Sequence, residues 1–162
     1  MLKKSLLVFI LFLLSFAVMA DQTESEINDT RGTANGPIAF NEILTGGLPG
    51  GHGGDSFSPQ DYWRFTGTDG KTYTLHATAV NCSVLVSPLD LALYIENSGG
   101  AIVATKDTGR DCDPEDLSWN CTLTGTYYLV VYEATGRVQD ISWYQVQCQE
   151  SATSGVEDWT LY

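Results

Sequence analysis

Residues 71–79 read KTYTLHATA, and in an extended chain Tyr73, Leu75, Ala77 and Ala79 fall on one side while Thr72, Thr74, His76 and Thr78 fall on the other. Apolar and polar residues that alternate in this way define a strand with one face in a core and one in water. The pattern recurs on both sides. DYWRF (61–65) alternates Trp63 and Phe65 against Tyr62 and Arg64. LDLALYI (89–95), AIVATKD (101–107), TGTYYLVVYEA (124–134) and ISWYQVQC (141–148) follow. Turn chemistry separates them, as in GTDG (67–70) and ENSGG (96–100). No segment after residue 20 keeps a helical period for three turns. About eight such strands predict an all-β chain, an antiparallel β-sandwich.

The first 20 residues stand outside this pattern. Lys3 and Lys4 precede an unbroken apolar run from Leu6 to Leu14, and Val18-Met19-Ala20 supplies the small residues a signal peptidase reads. Residues 1–20 are therefore expected to be a signal peptide cleaved after Ala20, with a secreted or periplasmic product. The apolar run is too short to span a bilayer comfortably. One domain is expected over residues 21–149, with an acidic leader at 21–30 and a C-terminal tail at 150–162. Net charge is −12 for the whole chain and more negative once Lys3 and Lys4 are removed. Such a surface repels phosphate, so nucleic acid and anionic membranes are poor partners.

Four cysteines, Cys82, Cys112, Cys121 and Cys148, lie in the exported part. An even set in an oxidising compartment reads as disulfides, and four cysteines allow three connectivities. Cys112 and Cys121 flank DPEDLSWN and are expected to close a local loop, which leaves Cys82–Cys148 as the long-range pair. No pair has the CxxC spacing of zinc or redox sites. The two histidines support little acid–base chemistry: His76 falls on the polar side of its strand, and His52 lies in the Gly-rich stretch GGLPGGHGGDSFS (46–58). No GxSxG or HExxH motif occurs.

TESEINDT (23–30) concentrates side-chain oxygens, and on its own reads equally as a solvated acidic leader or as a helix capping box from Thr23 to Glu26. The order of features adds a further reading. ESEINDT, DYWRF, GKTYTLHA, LDLALYI, GTYYLVVY and WYQVQC, in that order, resemble the bacterial pre-peptidase C-terminal (PPC) domain, a family that includes the calcium-dependent collagen-binding domains of clostridial collagenases. The resemblance covers about Glu24 to Gln149. It implies a jelly-roll-like sandwich that is not itself catalytic and is attached behind a secreted peptidase. In this sequence the apolar leader runs straight into the domain, so a free-standing binding module is expected.

The resemblance also implies a calcium site. In calcium-binding members the E-x-E-x-N-D head and aspartates before the D-Y-aromatic strand supply the ligands. Glu24, Glu26, Asn28, Asp29 and Asp61 match those positions. Ser58 stands where a second aspartate is usual, and Asp55, slightly earlier, is the expected substitute. The physics agrees: calcium takes six to eight oxygens, and these carboxylates would repel one another without a cation. The family's G-x-Y-x-L-x-V pattern implies that Tyr127, Leu129 and Val131 enter the core. Tyr128, Val130 and Tyr132 then share the opposite face, a candidate ligand surface. The expected partner is an extracellular protein or polysaccharide, or a secreted peptidase that the module assists. The alternative is a secreted hydrolase or peptidase inhibitor of unrecognised type.

Overall fold

A computed structural model describes residues 21–25, 28–48, 60–84, 88–135 and 142–152. Nine strands form in these residues: β1 Gln22–Thr23, β2 Ile43–Leu48, β3 Gln60–Gly67, β4 Lys71–Val80, β5 Leu91–Asn97, β6 Ile102–Lys106, β7 Glu115–Asn120, β8 Gly125–Glu133 and β9 Ser142–Ala152. They make a five-stranded sheet, β1-β2-β9-β4-β7, and a four-stranded sheet, β3-β8-β5-β6. From β2 onward the chain changes sheet at every step except the β5–β6 hairpin, which is the winding of a jelly roll. All pairings are antiparallel apart from β1, which lies parallel to β2. Among the described residues no helix is long and apolar enough to cross a membrane.

The KTYTLHATA stretch is the central strand β4, paired with β9 on one side and β7 on the other. Tyr73, Leu75 and Ala77 point into the core, as the alternation predicts. They meet Leu44 and Leu48 of β2, Tyr144 and Val146 of β9, and the inward side chains of the other sheet: Trp63, Phe65, Leu91, Leu93, Ile95, Tyr127, Leu129 and Val131. Each fully buried leucine or isoleucine here contributes about 1.5–3 kcal/mol relative to exposure. Phe40, Phe65, Tyr73, Trp119 and Tyr127 fill one end as a ring cluster, with Tyr73 and Trp119 stacked at 5.7 Å.

One boundary differs from expectation. The last strand continues through Glu150 to Ala152, pairing with Thr72 and Lys71, so the sandwich passes Gln149 into the stretch assigned to a tail. Within the acidic leader, Gln22 and Thr23 add a strand to the sheet.

The expected disulfides are not the ones formed. Cys82 is joined to Cys112, with a Cα separation of 5.5 Å, and Cys121 and Cys148 are buried free thiols. The stretch between Cys112 and Cys121 is not a local loop: it contains β7, whose six extended residues span about 17–20 Å, far beyond the reach of a disulfide. Cys148 sits opposite Leu75 in the middle of β4, remote from Cys82 beyond the end of that strand. Cys112 instead reaches the loop after β4, where its N–H donates to the Leu89 carbonyl and the Leu89 N–H approaches the Cys82 sulfur. Burial pushes the Cys148 thiol up to about 12, so it is an unreactive part of the core.

Candidate cation site and aromatic face

The leader is held by backbone pairing before any side chain is considered. Glu24 N–H donates to Thr45 O at 3.0 Å. Beyond it the chain runs along the open edge of β3: Tyr62 N–H donates to Asn28 O, Asn35 N–H to Tyr62 O, and Arg64 N–H to Asn35 O. These bonds bring Glu24 and Asn28 to the start of β3, where Asp61 lies. Asn28 and Asp61 are both fully buried. Asn28 Nδ2 donates to Glu24 Oε2 at 3.4 Å, and Gly47 N–H donates to Glu24 Oε1.

Tyr144 of β9 closes the cluster. Its hydroxyl accepts from Trp63 Nε1 at 2.8 Å. Burial first, and then the Asp61 and Glu24 carboxylates beside it, hold that hydroxyl well above its ordinary pKa of 10. Gly46 makes the approach possible, since a Cβ there would overlap both the Tyr144 hydroxyl and Glu24 Oε2. Asn28 Oδ1 is buried and has no hydrogen-bond partner among the described residues. A buried carbonyl oxygen that lacks a donor and lies among carboxylates fits a hard cation, which needs acceptors only.

Of the six expected metal ligands, Glu24, Asn28 and Asp61 come together. Asp29 is exposed, and its backbone carbonyl accepts from Gln60 Nε2 at 3.5 Å. Glu26 and Asp55 lie outside the described residues, as do His52 and Ser58. The sequence reading did not assign Trp63 and Tyr144 to this site. The signal was present: both are inward positions of alternating strands, and a polar-tipped ring in a core needs a partner.

The expected ligand face also takes a different form. Tyr128, Val130 and Tyr132 do share the outer side of β8, but Val130 is fully buried. In register it lies between Tyr62 of β3 and Tyr94 of β5. Those two hydroxyls meet at 3.3 Å, Tyr62 packs on Tyr128 at 6.3 Å, and Tyr94 on Tyr132 at 5.7 Å. Four rings thus roof Val130, which cannot itself touch a ligand. Tyr128 and Tyr132 remain half-exposed. Burial raises the pKa of both Tyr94 and Tyr132, so both stay neutral at physiological pH. The leader borders this face: Arg31 Nε pairs with Glu96 at 2.9 Å, and its guanidinium also donates to Ser98 O.

The fold and this cluster define a jelly-roll sandwich domain with its N-terminal segment bound to the sheet beside a buried set of side-chain oxygens. The chain is similar to the pre-peptidase C-terminal domain of a collagenase from Bacillus anthracis, solved at 1.0 Å, with 16% identity over 69% of this chain and 91% of that one and a TM-score of 0.49. No family model and no curated protein matches the chain. The likeness is one of fold, and the site residues rest on this chain's own geometry.

Proposed function

We propose that the protein is a secreted, non-enzymatic binding module whose leader is stapled to the sandwich by calcium. The observation that carries this reading is the buried Oδ1 of Asn28, without a hydrogen-bond partner among the described residues, beside the Glu24 and Asp61 carboxylates. Glu24, Asn28 and Asp61 would hold the ion, with Glu26, Asp29 and Asp55 as the further ligands the sequence offers. Bound there, calcium neutralises the clustered charge and ties residues 24–28 to β3. Its role is structural. The ordered motif set supports a module of the pre-peptidase type, and the half-exposed Tyr128 and Tyr132 offer rigid aromatic contacts to an extracellular protein or polysaccharide, or to a secreted peptidase. His76, the one histidine among the described residues, pairs with Asp116 at 2.7 Å on an exposed strand face, a setting that gives the hydrolase alternative no specific support.

The test is calorimetry on chelated protein. Calcium should bind with a Kd of roughly 10⁻⁴–10⁻³ M, the range of extracellular modules. A hundredfold excess over Kd should stabilise the fold by about 2.7 kcal/mol. Asn28→Ala should abolish both effects and expose residues 21–30 to proteolysis. No binding heat and no shift in Tm on adding calcium would remove the staple.

A further inference from the structure

The outward face of the five-stranded sheet is chemically unlike the rest of this acidic molecule. Along β9 it presents Trp143, Gln145, Gln147 and Gln149, all exposed, with Trp143 at 47%. Strand geometry sets these side chains about 6.8 Å apart in one column. Neighbouring strands extend the column sideways with short hydroxyls, since Gln145 lies between Thr45 and Thr78, and Gln149 lies beside Thr74. Trp143 lies between Gly47 and Val80, so no side chain from β2 stands beside its ring.

Charge decides what such a face can hold. The chain has 20 acidic residues, yet the outward positions of β2, β4, β7 and β9 carry one carboxylate, Asp116, and it is paired with His76. A basic partner would find nearly nothing to neutralise here, and an acidic one would be repelled by the surrounding molecule. An apolar partner would meet mostly amides and hydroxyls. A neutral chain rich in hydroxyls fits. Each glutamine offers two donors and one acceptor, which suits paired hydroxyls, and the Asp116–His76 bond fixes the imidazole beside Gln147. An exposed indole stacks on the C–H face of a sugar ring, and the sheet holds these groups in place before binding, which lowers the entropy cost.

We propose that this face binds an extended neutral polysaccharide. The surface is separate from the tyrosine face and from the calcium cluster, so the proposal holds or fails independently of both. The test is affinity electrophoresis of the full secreted chain in native gels containing hydroxyethyl cellulose, glucomannan or arabinoxylan, with the plain gel as reference. At least one glycan should retard the protein. Trp143→Ala should weaken that retardation at least tenfold without moving Tm, because the ring is half in solvent. Gln145→Ala/Gln147→Ala, which removes no core packing, should weaken it severalfold and serves as an independent variant if Trp143→Ala folds poorly. Tyr128→Ala should leave it intact. Absence of retardation by all three glycans would overturn the proposal, as would retention that persists in both variants. Concentration-dependent sedimentation abolished by Trp143→Ala would identify the face as a contact between copies and overturn it too.

Discussion

Trp63 of the four-stranded sheet donates its indole N–H to the hydroxyl of Tyr144 in the five-stranded sheet, at 2.8 Å, through the middle of the core. Both rings are almost wholly buried, and the hydroxyl also lies against the Glu24 and Asp61 carboxylates. One bond therefore ties sheet to sheet and the core to the candidate cation site.

Tyr144→Phe keeps the ring and removes the acceptor. The Trp63 N–H is then buried without a partner, which costs about 1–3 kcal/mol. Urea unfolding should show a lower midpoint with an unchanged slope, since the packing and the surface exposed on unfolding stay the same. An unchanged midpoint would mean that water replaces the hydroxyl.

The roof over Val130 separates stability from surface. Val130→Asp places a charge under four rings and should prevent folding or cost several kcal/mol. Tyr132→Ala removes one half-exposed ring packed at a tilt against Tyr94 and should cost on the order of 1 kcal/mol, the scale of an aromatic pair. Chemical denaturation of the two variants distinguishes a buried Val130 from a solvent-facing one.

Period-two alternation made β3, β4, β5, β6, β8 and β9 legible, because each turns alternate residues toward a single core. The strands that went unnamed were β1, β2 and β7. ILTGGL carries two glycines, of which Gly46 allows Tyr144 and Glu24 to approach, and EDLSWN buries Glu115, a residue that pattern reading places in water. Glu115 tolerates burial because the backbone N–H groups of Thr108 and Gly109 donate to its Oε1. Missing β7 is what misled the cysteine pairing. At the candidate site, the family resemblance named Glu24, Asn28 and Asp61, and these are the three that the fold brings together. The depth of Val130 was not, since it depends on Tyr62 and Tyr94 from two other strands.

The cysteine chemistry gives a direct check. Non-reducing peptide mapping should link Cys82 to Cys112, and alkylation of the native protein should label neither Cys121 nor Cys148. Both thiols should react after unfolding in denaturant without reductant. Reducing the bridge releases a loop with a sequence separation of 30, worth roughly 3–4 kcal/mol on the chain-entropy account. A peptide joining Cys148 to any partner would contradict the placement of β9.

Near that bridge, Asp90 lines a depression of about 420 Å³ together with Arg110, Asp111 and Asp113. Burial, then the charges of Asp107, Asp111, Glu133 and Glu115, raise its pKa above the ordinary 3.8. A carboxyl with a raised folded pKa holds its proton more tightly in the folded state than in the unfolded one. Its contribution is thus most favourable below pH 3.8, declines as pH rises through the raised value, and levels off above it. Asp90→Asn removes the ionisation and keeps the shape. The variant should match the parent near pH 3 and exceed it in Tm at pH 7. Differential scanning calorimetry of both proteins across this range, in the same chelating buffer, gives the difference curve. Equal Tm values at pH 7 would show that solvent or Arg110 already offsets the repulsion at Asp90.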